Sequence, residues 1–198
     1  MLLYDSPASG NCYKVRLLLA QLGLPYERLT VDVVDRSGRE ELLGELNPAL
    51  RVPTVVLDDG RPLGESYAIL CYFAEGTPYL PDDRFERTQV LQWLFYEQCS
   101  HEPYIAVLRF WLHFARTPPG ESEIRDKRSG GEAALRAMER HLARRVFLVG
   151  KRYTIADIAL YAYTHVAGEA GLDPGAHPAV RRWLSRVAEQ PGHVAIDD

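Results

Sequence analysis

Two short stretches of the chain carry residue types that could hold a small polar ligand. Arg51-Val52-Pro53-Thr54-Val55-Val56 is an apolar, β-branched run that begins right after a proline. Proline lacks an N–H and is confined in sheets to strand starts, edges and bulges. It also holds the preceding peptide in a rigid turn, and X–Pro bonds are where cis peptides occur. A cis Val52–Pro53 bond is therefore expected, with the Val52 N–H and C=O offered to a ligand instead of a neighbouring strand. Further on, Glu65-Ser66 opens an apolar helical segment. Serine is a favoured N-cap, and a helix N-terminus is a ready-made anion site. A peptide-like edge together with an anion site predicts capture of a small peptide carboxylate.

A third stretch could handle a thiol. Asp5-Ser6-Pro7-Ala8-Ser9-Gly10-Asn11-Cys12 runs from a short apolar strand into a helix and offers two hydroxyls, an amide and a thiol. Ligands collect at such strand-to-helix turns in α/β layers. The positive end of the helix dipole favours a thiolate over a thiol. Either one of these groups binds a thiolate or Cys12 is itself one; alternatively, Ser9 or Asn11 only caps the helix. Cys71 and Cys99 fall in apolar helical patterns and are expected in the core. Three widely spaced cysteines without a CxxC pair argue against a disulfide framework or a structural zinc site. His101-Glu102 lacks the HExxH spacing, so no metal is expected.

The elements that must position these groups follow from periodicity and punctuation. Residues 2–4 read as a strand, and residues 12–22 as a helix ended by Gly23. Residues 26–33 read as a strand, 39–46 as a short amphipathic helix and 54–57 as a strand. Asp58-Asp59-Gly60 is a hairpin signal leading to Arg61-Pro62-Leu63, and residues 67–75 form a helix. The order is βαβ–α–ββ–α. Gly76-Thr77-Pro78-Tyr79-Leu80-Pro81 is a proline-rich break, and everything beyond it reads helical: 85–115, 121–145, 155–170 and 178–190. Thr117-Pro118-Pro119-Gly120 interrupts the series, Pro103 should kink the first of these helices, and Gly130-Gly131 should loosen the second. Thr154-Ile155-Ala156-Asp157 fits a capping box, which makes Asp157 structural.

The expected architecture is thus an α/β domain over 1–76, a linker over 77–84 and an all-α helical bundle over 85–198. The chain has 198 residues, 46% hydrophobic and 25% charged, with a formal net charge of −4. That balance is ordinary for a globular protein and disfavours nucleic acid or an anionic membrane as partner. No apolar run approaches the length of a membrane span, and the first residues lack a signal-peptide pattern, so a cytoplasmic location is expected.

At this point the chain resembles the cytosolic glutathione transferases over essentially its whole length. The resemblance rests on Ser9-Gly10-Asn11-Cys12-Tyr13-Lys14-Val15-Arg16, on Asn47-Pro48-Ala49-Leu50-Arg51-Val52-Pro53, on Glu65-Ser66 with Ala68-Ile69, and on Leu148-Val149-Gly150 running into the Thr154–Asp157 cap. It implies a thioredoxin-like first domain that binds glutathione as co-substrate, without a metal. Val52, before a cis proline matching Pro53, would pair with the cysteinyl backbone of the tripeptide. Glu65 and Ser66 would hold its γ-glutamyl end, and Arg51 stands near its glycyl end. Ser9, then Asn11, then Cys12 are the candidates for activating the thiol. Leu50 stands where the family commonly has glycine.

The helical domain would supply the pocket for a small hydrophobic electrophile, with Tyr104, Arg109 and Trp111 as candidate lining, and part of a homodimer interface. The activity implied is transfer of the glutathione thiolate to electrophiles, a detoxification chemistry. Glutathione-dependent reduction of peroxides or disulfides, with Cys12 as a second thiol, is an alternative. So is a non-catalytic module of the same fold that binds a protein partner.

Overall fold

The computed structural model describes residues 1–117 and 119–198; the Pro118 part of the expected interruption lies outside them. The chain divides into two compact units, Met1–Glu75 with Pro191–Asp198, and Gly76–Gln190. Among the described residues no helix is long and apolar enough to cross a membrane.

The first unit is a small mixed sheet with helices, in the thioredoxin-like order. It comprises β1 (Leu2–Asp5), α1 (Gly10–Leu22), β2 (Glu27–Thr30), α2 (Arg39–Leu43), β3 (Thr54–Val56), β4 (Pro62–Leu63) and α3 (Ser66–Ala74). The sheet order is β2-β1-β3-β4. β1 runs parallel to β2, with Leu3 opposite Arg28, and antiparallel to β3, with Leu3 opposite Val55. Leu3, Val15, Leu19, Val55 and Ile69 form the buried core between sheet and helices. Gly23 ends α1 at φ +65°, and its N–H and that of Leu24 return to Ala20 and Leu19. This is the left-handed cap for which glycine carries no Cβ penalty.

Two expected elements are shorter than their sequence patterns. The strand expected over 26–33 pairs only over Glu27–Thr30. Beyond it, Asp32 and Asp35 turn the chain by accepting from Val34, Asp35 and Ser37 N–H groups. Such local side-chain bonds compete with a sheet ladder. The helix expected over 39–46 stops at Leu43.

Residues 191–198, expected with the helical domain, belong instead to the first unit. Tyr13 donates its hydroxyl to Val194 O at 2.8 Å, Arg16 Nη2 donates to Ile196 O, and Arg28 Nη1 donates to Asp198 O. Arg16 and Arg28 converge from the other side on Asp5, which is fully buried. Polar side chains on an otherwise apolar helix gave no sign of this, because their partners lie some 180 residues away in sequence.

The second unit is all-α. A nearly continuous helical rod runs from Arg84 to Phe114: α4 (Arg84–Tyr96), a π-helical turn (Glu97–His101), α5 (Glu102–Arg109) and a second π-helical turn (Phe110–Phe114). The kink expected at Pro103 is taken up as the first π turn. Pro103 sits in the first turn of α5, where its missing N–H costs nothing. α6 (Glu121–Leu142), α7 (Ile155–Thr164), two 3-10 turns and α8 (Pro178–Ala188) complete the unit. The apolar pattern over 155–170 covers α7 and a separate 3-10 turn at Ala167–Ala170.

Gly130-Gly131 does not loosen α6. A Cβ on Gly130 would lie 2.1 Å from the Tyr104 ring, and one on Gly131 would lie 2.7 Å from Leu172. The two glycines are there for close approach. They let α5 and the Ala167–Leu172 segment pack onto α6 in a core that includes Ile105, Leu108, Leu135 and Leu172. Cys99, expected in the core, is exposed. It continues the stripe of Leu91 and Phe95, which is apolar but uncovered in the isolated chain.

Candidate functional site

The candidate site lies within the first unit, where three chain segments present polar groups. The segment before β3 is held by its own side chains. Asn47 Nδ2 donates to Arg51 O at 3.1 Å and to Thr54 Oγ1 at 2.9 Å. Thr54 Oγ1 donates to the same Arg51 carbonyl at 2.8 Å, and Ala49 N–H caps Asn47 Oδ1. Leu50 adopts φ +52°, the left-handed conformation that glycine adopts freely. The turn is therefore kept without glycine, at the cost of a Cβ in a crowded region.

This frame fixes Arg51-Val52-Pro53, and the Val52–Pro53 peptide is cis. The next residue, Thr54, begins β3. Among the described residues, neither the N–H nor the C=O of Val52 has a hydrogen-bond partner. Val52 is half-buried and Arg51 is exposed. An unpaired backbone N–H and C=O at a strand start form an edge onto which an extended peptide can add.

The second segment is the start of α3. Glu65, the N-cap residue, lies at φ +62° and ψ 115°, and its side chain makes no cap hydrogen bond. A non-glycine residue at such a backbone position costs of order 1–3 kcal/mol and is held only where the surrounding structure imposes it. Ser66 is buried and its backbone N–H opens the helix. The first-turn N–H groups of α3 thus lack a capping oxygen from Glu65, and the dipole favours an anion there.

The third segment is the start of α1. Ser9 is its N-cap, and its Oγ accepts from Cys12 N–H at 3.3 Å. Accepting through a lone pair leaves the hydroxyl proton able to donate elsewhere. Asn11 lies in the first turn, and Ser66 Oγ stands 3.5 Å from Asn11 Oδ1. The structure thereby brings Asn11 and Ser66 together from opposite ends of the unit. Cys12 is fully buried and its Sγ accepts from Ser6 N–H at 3.4 Å. Burial, with the nearby Asp5 charge, pushes its thiol up to about 12. A thiol in that setting is inert at neutral pH.

Lys14 and Tyr67 belong to the same cluster, although their residue types give no hint of it. Lys14 is fully buried, and its Nζ donates to Asn11 Oδ1 at 2.7 Å and to Tyr67 OH at 3.0 Å. A lysine in a helix is ordinarily read as solvated. The one available signal is that most of its helical neighbours, Tyr13, Val15, Leu17 and Leu18, are apolar.

In the second unit, Tyr104 and Trp111 share one cation. Lys127 Nζ lies 5.3 Å from the Tyr104 ring centroid and 5.9 Å from that of Trp111, and donates to Pro103 O at 2.8 Å. Arg109 has a different set of partners. It is buried, donates through Nε to Glu169 Oε2 at 2.7 Å and lies against the Phe114 ring. Among the described residues no group of three or more His, Cys, Asp or Glu is placed to hold a metal ion.

Family comparison fits this architecture. The family model described as Glutathione S-transferase, N-terminal domain, matches residues 3–80, and that described as Glutathione S-transferase, C-terminal domain, matches residues 90–191. The chain belongs to the glutathione S-transferase family. A solved glutathione S-transferase from Pseudomonas fluorescens [Pf-5] is 46% identical, with a TM-score of 0.94 over 100% of this chain and 98% of that one. The disulfide-bond oxidoreductase YfcG of Escherichia coli (strain K12) is 31% identical over 96% of this chain and 90% of its own length. A glutathione transferase homolog from Lodderomyces elongisporus, solved with two GSH per subunit, is 25% identical, with a TM-score of 0.87 over 96% of this chain and 94% of that one.

Proposed function

We propose that the first unit binds glutathione and that the protein adds its thiolate to small hydrophobic electrophiles. The observations that carry this reading are the open backbone of Val52 and the start of α3 left without a side-chain cap, both in the first unit. The cysteinyl backbone of the tripeptide pairs antiparallel with Val52. Its γ-glutamyl end takes Glu65 and the Ser66 hydroxyl and N–H, and Arg51 faces the glycyl carboxylate. The sulfur then lies at the start of α1, within reach of Ser9 Oγ–H and an Asn11 amide N–H.

The chemistry asked of the protein is small. A free thiol of this kind has a pKa near 8.5, and hydrogen bonds to its charged form lower that value. A drop of about two units is worth roughly 2.7 kcal/mol and makes the thiolate dominant at pH 7. The thiol proton leaves to solvent, and the thiolate attacks an electrophile held close by, gaining from proximity. Tyr104, Arg109 and Trp111 remain the candidate lining for that electrophile, with the Arg109 guanidinium held by Glu169. Membership of the glutathione S-transferase family supports the reading, as does the GSH bound by the Lodderomyces homolog.

A second reading is thiol–disulfide exchange, favoured by the name of the YfcG relative. In it, a bound glutathione thiolate attacks a disulfide, forms a mixed disulfide and releases one thiolate. A second glutathione then attacks the mixed disulfide, giving oxidised glutathione and the second thiolate. Buried Cys12 is not needed and is not suited to the step.

Calorimetric titration with glutathione tests the binding step. Ser66→Ala removes a hydrogen bond to a charged group, worth about 1.5–3 kcal/mol, and should weaken binding about ten- to a hundredfold. Equal affinity of the two proteins would remove Ser66 from the site, and no heat with either would overturn the reading. Turnover of an aryl halide against a mixed disulfide then separates the two reactions. Binding with neither turnover would leave the non-catalytic module.

A further inference from the structure

Building on the glutathione site just described, we propose that Lys14 is a positioning residue that fixes which edge of the Asn11 amide faces the thiol. Lys14 lies early in α1, fully buried, and its ammonium donates to Asn11 Oδ1 at 2.7 Å. An ammonium carries donors only, so it cannot face the NH2 edge of an amide. The oxygen edge of Asn11 is therefore the one turned to Lys14, and both Nδ2–H bonds lie on the opposite edge. Ser66 Oγ lies 3.5 Å from the same oxygen, but a hydroxyl can face either edge, so the donor-only ammonium is what fixes it.

An asparagine side chain without such a neighbour has two orientations related by a half-turn about its last bond, differing in where oxygen and nitrogen lie. Only one of them aims N–H donors at a thiolate; the other aims an oxygen at it and repels the charge. Lys14 removes the second orientation. Burying a lysine is costly unless its head group is satisfied by hydrogen bonds. The arrangement supplies them through Asn11 and through Tyr67 OH at 3.0 Å, with the Tyr67 ring centroid 4.5 Å from Nζ. The same ammonium thus ties the first turn of α1 to the first turn of α3, the two helix starts that the site uses.

The test is the titration of bound glutathione, followed by the ultraviolet absorbance of its thiolate as pH is varied. Wild type, Lys14→Met, Asn11→Ala and the double variant are compared after circular dichroism confirms their folding. Lys14→Met and Asn11→Ala should each raise the apparent pKa of the bound thiol by roughly one unit, which lowers the thiolate fraction at pH 7 about threefold. The double variant should fall no further, because the two residues act in series. Additive shifts would mean that the lysine charge acts on the sulfur directly, and would overturn the proposal, as would an unchanged titration in Lys14→Met.

Lys14→Gln is the second variant. It loses the charge but keeps an N–H donor for Asn11 Oδ1, so its titration should stay near that of the wild type. A Lys14→Gln protein with its thiol pKa raised by about the same one unit would refute the positioning role even if Lys14→Met failed to fold. Absence of glutathione binding by the wild type would overturn the underlying site. Binding by the wild type with either of the other adverse results would overturn the role of Lys14 alone.

Discussion

Trp183 donates its indole N–H to Asp157 Oδ1 at 2.8 Å, and both residues are fully buried. The same carboxylate accepts from Leu148 N–H, Thr154 N–H and Thr154 Oγ1–H, at 3.0, 3.0 and 3.2 Å. One side chain thus caps α7, anchors the loop before it and fixes the indole of α8. Asp157→Asn would set an NH2 group against two of these donors. Leaving buried donors unsatisfied should cost about 3 kcal/mol or more, read by urea unfolding at pH 7.

The same residue predicts a pH dependence. Burial raises the Asp157 carboxyl from 3.8 to about 6 in the folded chain, against the pull of its donors. Below 3.8 both folded and unfolded chains hold the proton; between 3.8 and about 6 only the folded chain does. Stability from this group is therefore full at low pH and is lost as pH rises through about 6, by roughly 3 kcal/mol. Wild type should gain on Asp157→Asn as pH falls from 7 to 4. Parallel pH profiles for the two proteins would contradict this.

The cysteines should separate cleanly by reactivity. Cys99 is exposed, whereas Cys12 is fully buried with its thiol pushed up to about 12. A chromogenic disulfide reagent should label Cys99 rapidly in the native protein and reach Cys12 only on unfolding. Cys12→Ala should leave glutathione affinity within about twofold of wild type, because a buried neutral thiol offers the ligand no charge. A native protein whose Cys12 reacts at the rate of Cys99 would reopen it as a nucleophile.

Gly130→Ala should destabilise the second unit although alanine is the better helix former by about 1 kcal/mol. The new Cβ would lie 2.1 Å from the Tyr104 ring, and overpacking of this kind costs about 1–3 kcal/mol. In a Tyr104→Ala background the clash is gone, and the same substitution should become stabilising. Thermal melts of the four proteins measure both signs.

The proposed homodimer rests on uncovered apolar surface. Phe85 and Phe95 on α4 are 70% and 67% exposed, and Leu91 and Cys99 extend their stripe. Tyr72 on α3 is also exposed. A second copy of the chain covering these residues should bury upwards of about 1,200 Å² in total. Sedimentation should then report a dimer at micromolar concentration, and Phe85→Glu with Phe95→Glu should shift it to monomer.

Elements with a strong local signal were legible in the residues. The Thr154 cap, the Gly23 stop, the Asp58-Asp59-Gly60 hairpin and the turn into β3 each follow from one or two residues whose chemistry permits little else. What was not legible depends on partners distant in sequence. Gly130 reads as a weak point until Tyr104 is seen against it, and Lys14 reads as solvated until Asn11 and Tyr67 enclose it. Cys99 shows the remaining difficulty. An apolar stripe records that a face is to be covered, not whether this chain covers it.

The return of residues 193–198 to Tyr13, Arg16 and Arg28 has a consequence for synthesis. On the ribosome, domains generally fold as units in the order in which they emerge. Here the thioredoxin-like unit emerges first yet lacks its closing segment until the whole helical unit has been translated. In a nascent chain, Arg16 and Tyr13 must meanwhile be satisfied by water or by a chaperone. Ribosome-bound chains stopped near residue 150 should therefore hold an incompletely locked first unit, more open to protease at α1 than the same unit in the released protein.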